Sequence, residues 1–171
     1  MSIDVFAADE QQAHPVDVSR WAELVRQVLA ARGVKGETEV SLLFVDEGTM
    51  ASLNQQFLGR SGPTDVLSFP IEDEPVPSGR TPDYGGSGPG ASPEPGTLWL
   101  LGDVVICPAV AARNAEEHEV PFEDELALLV VHGLLHLLGM DHEEDAQAER
   151  MEALEHQLLR RFYRPGPAGR S

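Results

Sequence analysis

The stretch from Leu126 to Met140 (LALLVVHGLLHLLGM) is apolar nearly throughout, broken only by His132, Gly133, His136 and Gly139. It is shorter than the roughly 20 residues that a bilayer span requires, and it carries two imidazoles. A helix that is apolar on almost every side has to be surrounded by protein. This segment therefore predicts a buried central helix with its histidine face left open to a cleft. His132 and His136 are four apart, one turn above each other on that face, and can offer their rings to a single ion. Gly139 permits the left-handed conformation that ends a helix and turns the chain back, letting His142 approach the same ion from another direction. Three nitrogen donors from a helix and its following turn suit zinc. Three rather than four also leave a coordination position for water, as in a catalytic site, whereas a structural site is closed. One histidine on an apolar helix is usually a core residue with satisfied hydrogen bonds, but three within eleven residues, with a glycine in register, point to a metal. His14, His118 and His156 stand alone and are expected at the surface or half-buried.

The remaining pattern supplies the shell around that helix. Trp21, Leu24, Val25, Val28 and Leu29 share one face of a helix expected over Asp17–Arg32, which Gly33 stops. Glu39–Val45 reads as a strand, and Asp46 can cap a helix with Met50, Leu53 and Phe57 inward and Gly59 at its end. After the turn Gly62-Pro63-Thr64-Asp65 comes a second strand, Val66–Phe69, closed by Pro70; Asp65 reads as a turn residue in preference to a site residue. Leu98–Leu101 and Asp103–Cys107 give one further strand or two. Pro108 suits the first turn of a helix reaching about His118. The next helix opens at Val120–Glu123 with acid in its first turn and carries the two histidines, and a last one runs from about Asp145 to Phe162. Between the second and third strands, residues 72–97 hold six Pro and six Gly in 26 positions and predict a flexible surface insertion without packed structure. The order implies a single α+β domain over 1–171: a mixed sheet of about four strands covered by about five helices, with the metal site at the end of the central helix.

Composition narrows the function. At 171 residues the chain holds one domain with a proper core. Its one cysteine excludes an internal disulfide, and Cys107 reads as a small buried residue in preference to a nucleophile. No basic segment followed by an apolar run opens the sequence, so no signal peptide or membrane association is expected, and a cytoplasmic location is. A net charge of −17 disfavours blanket electrostatic attachment to a polyanion. Residues 116–155 alone hold thirteen Asp and Glu against one Arg, which favours a cation near the histidines. An anionic substrate would need Arg60, Arg113 or the early arginines to build a local basic surface.

The spacing H-x-x-x-H-x-x-G-x-x-H is that of metzincin proteases, but their first His is followed by a Glu that serves as base, and here the position is Gly133. Peptide hydrolysis is accordingly the lesser reading. Four segments, Leu53-Asn54, Pro63–Pro70 (PTDVLSFP), Leu101–Ile106 (LGDVVI) and Val131–His142 (VHGLLHLLGMDH), resemble the YbeY family of bacterial rRNA maturation factors. The resemblance extends over roughly residues 38–160. It implies a compact α+β fold and one zinc ion held by His132, His136 and His142. It further implies a metal-dependent endoribonuclease specific for single strands, acting in small-subunit ribosomal RNA end processing and ribosome quality control. The small ribosomal subunit is the implied partner, together with ribosomal proteins or assembly GTPases. The family's arginine five positions before the Pro of PTDVLSFP is here Leu58; Arg60, two positions on, is the candidate substitute, although that offset aims a side chain elsewhere. Asp141 and Asp65 are candidate bases. The alternative of another class is an assembly factor whose zinc is structural and whose RNA cleavage a partner supplies.

Overall fold

Strand β1 (Ser2–Asp9), helix α1 (Val18–Ala31), β2 (Glu37–Phe44), α2 (Glu47–Leu58), β3 (Val66–Pro70), a two-residue β4 (Val76–Pro77), β5 (Thr97–Ile106), α3 (Pro108–His118), α4 (Phe122–Leu137) and α5 (Asp145–Leu158) follow in order. A single π-helical turn, Leu159–Tyr163, continues α5. The computed structural model describes residues 2–34, 37–71, 76–77, 97–140 and 145–163. The main sheet runs β1-β2-β5-β3, with β1, β2 and β5 mutually parallel and β3 antiparallel to β5. This is the α+β architecture expected, with four principal strands and five helices.

Burial follows the sequence pattern closely. Along β2, Thr38, Val40, Leu42 and Phe44 alternate into one face of the sheet, where Val104 and Ile106 of β5 join them. Against that face lie Trp21, Leu24, Val25, Val28 and Leu29 of α1 and most of α4. In α4, Leu126, Ala127, Leu129, Val130, Val131, Leu134, Leu135 and Leu137 are all buried, so the helix is central as its sequence demands. Each such leucine or valine contributes on the order of 1.5–3 kcal/mol by leaving water. The opposite face carries a smaller cluster of Val45, Met50, Leu67, Val105 and Cys107 beneath α2.

Two features depart from the expectations, and a third settles an alternative left open. β1 was not foreseen; its signal is the short alternation Ile3, Val5, Ala7, whose side chains pack on the core while Phe6 between them is 73% exposed at the sheet edge. Of the one or two strands expected after Leu98 the structure has one, Thr97–Ile106, and it accommodates a bulge: Glu39 pairs with Leu100 but Val40 with Gly102, leaving Leu101 as the extra residue. Within residues 72–97, where no packed structure was expected, Val76 and Pro77 pair with Leu98 and Thr97 of β5; residues 72–75 and 78–96 of the expected insertion lie outside the described residues.

Helix α2 is capped by Asp46, whose carboxylate accepts from the Thr49 backbone N–H at 2.8 Å, and that bond holds the carboxyl below its ordinary range. Gly59 closes the helix in the left-handed conformation. Met50 is fully buried, but Phe57, expected inward, is 55% exposed. Beneath the last turn of α2 lies the mouth of a cleft, where the Phe57 ring meets Phe69 edge to face with centroids 5.1 Å apart.

At the bulge, Gly102 adopts φ +138°, and a Cβ there would sit 2.4 Å from the Phe69 carbonyl oxygen. Gly102→Ala is expected to lower stability by about 1–3 kcal/mol, combining overpacking with a backbone conformation unfavourable to alanine. Urea unfolding measures this, and a midpoint equal to wild type would contradict the reading of the bulge.

Candidate functional site

The site is organised by how closely α4 approaches the sheet. Gly133 sits against β3 and β5, where a Cβ would lie 2.7 Å from Val104 Cγ1 and 3.3 Å from Ser68 Oγ. Ser68 Oγ also donates to the Gly133 carbonyl at 3.0 Å. This contact accounts for glycine at the position where a metzincin carries its basic Glu: a side chain there would have to displace Val104 or the helix, so packing and chemistry both disfavour the peptide-hydrolysing arrangement.

With α4 fixed in this way, His132 and His136 emerge into a cleft of about 690 Å³ that is also lined by Phe57, Leu58, Arg60, Asp65 and Phe69. The two Nε2 atoms face each other at 3.1 Å. Two nitrogens sharing a tetrahedral ion at about 2.0–2.1 Å stand roughly 3.3 Å apart, so the pair fits two adjacent donors of one metal. His132 Nδ1 is hydrogen-bonded to Glu155 of α5, a carboxylate that is only 6% exposed. A carboxylate can only accept, so the ring carries its proton on Nδ1 and turns the Nε2 lone pair into the cleft. Sequence reasoning missed Glu155. Its signal was present in the spacing of α5, since Glu155 shares the inward face with Met151 and Leu158, an odd place for an acid without a partner.

The end of α4 also behaves as its glycine predicts. Gly139 has φ +97°, its N–H donates to the His136 carbonyl at 3.0 Å, and the Met140 N–H donates to the Leu135 carbonyl at 3.0 Å. These two bonds form a Schellman close that turns the chain away from the helix axis. The expected third donor, His142, and the candidate base Asp141 lie outside the described residues. Among the described residues the structure gathers two metal-type donors at this point and no group of three.

Arg60 lines the cleft and makes no ion pair among the described residues. Its loop is pinned by buried Asn54, whose Nδ2 donates to the Gly62 carbonyl at 2.9 Å. Three other arginines are held in ion pairs. Arg113 pairs with Glu47, and Arg26 with Glu23. Arg20 pairs with Glu123 at 2.9 Å and lies over the rings of Trp21 and Tyr163. Asp65 lines the cleft too, although it was read as a turn residue; its carboxylate accepts from Asn114 Nδ2 at 3.1 Å and from Thr64 Oγ1. Cys107 is fully buried and burial pushes its thiol up, as suits a packing residue. His14 is half-buried, whereas His118 and His156 are exposed, and none of the three is among the residues that line the cleft.

A mixed sheet whose largely buried central helix lifts paired imidazoles into an open cleft defines an α+β protein with a histidine-centred candidate site. The family model described as "Endoribonuclease YbeY" matches residues 6–163. The protein of that name from Thermobifida fusca is 46% identical over 159 residues, covering 93% of this chain and 92% of the relative. Its namesake from Rhodococcus opacus is 43% identical over 163 residues, covering 95% and 83%. A Thermotoga maritima protein solved in solution superposes with a TM-score of 0.52 at 27% identity, covering 99% of this chain and 97% of its own. This chain belongs to the endoribonuclease YbeY family.

Gly133→Ala is expected to force α4 off the sheet and lower stability by about 1–3 kcal/mol, with the histidine rings displaced. Chemical denaturation together with the NMR shifts of the two imidazoles reads both effects. A variant within about 0.5 kcal/mol of wild type, with unmoved ring signals, would contradict the tight contact.

Proposed function

We propose that this nuclease is a zinc-dependent endoribonuclease specific for single strands, acting in the cytoplasm on the end of small-subunit ribosomal RNA and in ribosome quality control. The observation that carries the proposal is the pair of Nε2 atoms converging at 3.1 Å in an open cleft, in a chain of an endoribonuclease family. His132 and His136 would hold the ion, with His142 the expected third donor. When bound, zinc supplies Lewis acidity, lowering the pKa of water toward about 7 and offsetting charge that grows on phosphate oxygens.

The chain's own groups have separable tasks. Glu155 fixes the tautomer and direction of the His132 ring. Arg60 offers the cleft a guanidinium for one phosphodiester. Asp65, which lines the cleft and is held by Asn114 and Thr64, would accept the proton of the attacking hydroxyl, with Asp141 the second candidate for that task.

A second reading is an assembly factor on the small ribosomal subunit, contacting ribosomal proteins or assembly GTPases, in which zinc is structural and a partner cuts the RNA. The net charge of −17 and Leu58 at the family's arginine position favour it. Assaying purified protein on single-stranded RNA, with and without chelator, separates the two. The first reading predicts cleavage lost on chelation and restored by zinc, and the second predicts subunit association without cleavage.

His132→Ala is expected to lose zinc and cleavage together, and undiminished cleavage by a metal-free variant would place the activity elsewhere. Glu155→Ala is expected to weaken zinc about 10- to 100-fold in chelator competition, with Glu155→Gln retaining part of the affinity because its amide oxygen still accepts from Nδ1. Equal affinities across wild type and both variants would remove Glu155 from the site.

A further inference from the structure

Three of the five large apolar side chains left exposed among the described residues are Phe57, Leu58 and Ile71. The first two line the cleft that holds the histidines, and Ile71 follows Pro70, which lines it too. Leaving a phenylalanine half in water forgoes burial, and here the ring does not hang loose. Its edge-to-face contact with half-buried Phe69 and its place on capped helix α2 hold it in a fixed orientation.

Charge sharpens the meaning of that ring. A net charge of −17 disfavours holding a polyanion by phosphate contacts spread over the surface. Arg20, Arg26 and Arg113 are paired with Glu123, Glu23 and Glu47, and among the described residues that line the cleft Arg60 is the one arginine or lysine. One cation offers one phosphate contact. The rest of the affinity for a single strand has to come from a contact that salt does not screen, and a nucleobase is the part of RNA with a neutral, flat, apolar face.

We propose that Phe57, backed by Phe69 and flanked by Leu58, is a stacking shelf for one unpaired base of the RNA, next to the phosphodiester presented to His132 and His136. The shelf accepts any base, because every base has a face to stack, and it rejects duplex, whose bases are already stacked. Single-strand preference is then a property of this wall of the cleft. The proposal rests on the nuclease reading above and assigns it a substrate subsite.

The test uses zinc-loaded protein and a short 2′-O-methyl oligoribonucleotide carrying 2-aminopurine, whose fluorescence falls on stacking, with gel electrophoresis after each titration to show the probe intact. Wild type is expected to quench the probe. Phe57→Ala is expected to bind roughly 5- to 100-fold more weakly without quenching, and Phe57→Trp to restore both. On cleavable RNA the alanine variant should raise KM with little change in kcat, at unaltered zinc content and melting temperature. An abasic nucleotide at the stacked position should cost wild type the same factor and Phe57→Ala nothing further. The plot of log K against log salt should have a slope near −0.7, that of about one phosphate contact. Wild-type cleavage with unchanged binding by Phe57→Ala, or a salt slope of several contacts, would overturn the shelf and leave the nuclease reading standing. Wild type that neither binds nor cuts RNA would overturn both.

Discussion

The contact between Gly133 and the sheet is the constraint on which the rest of the structure depends. A helix as apolar as α4 would be buried in any fold, but its distance from β5 and β3 decides where its histidines point. With no side chain at 133, Val104 and Ser68 meet the helix backbone directly, and His132 and His136 stand in the cleft at a mutual spacing suited to one ion. A glutamate at that position would have supplied a base to a protease and pushed the helix off its seat. The absence of that base and the closeness of the packing are thus one fact.

Around this contact the site is assembled from parts that do not neighbour each other in sequence. Helix α4 supplies the imidazoles, α5 the carboxylate that orients the first of them, the loop after α2 the guanidinium, and the start of β3 an aspartate held by α3. Each part is locked by its own hydrogen bonds: the Schellman close at Gly139, the Asn54 bond to Gly62, the Asn114 bond to Asp65. Such a site is held by rigid elements and not by loops alone, as positioning of reacting groups requires.

Much of this was legible in the sequence because it rests on periodicity and local chemistry. The inward faces of α1 and α4, the cap Asp46, the stops Gly59 and Gly139 and the pairing of His132 with His136 all follow from spacing of three or four residues and from residue type. What was not legible depends on tertiary neighbours. Glu155 lies 23 positions from His132, and nothing in its own surroundings announces the ring it serves. Phe57 obeys the helical period of a core residue and is nevertheless half exposed, at a cleft that its own period cannot reveal. β1 has only three small or branched alternating residues and an exposed phenylalanine, too little for a strand until β2 offers it an edge.

The central claim is that converging imidazoles hold one metal ion and leave it a free position. X-ray absorption at the zinc edge of the loaded protein tests it most directly. The account predicts three imidazole ligands and one further light-atom ligand at about 2.0–2.1 Å, with the non-imidazole position exchanging when a phosphate ester is added. A shell closed by four protein donors and indifferent to the ester, or the same spectrum from His136→Ala as from wild type, would contradict it.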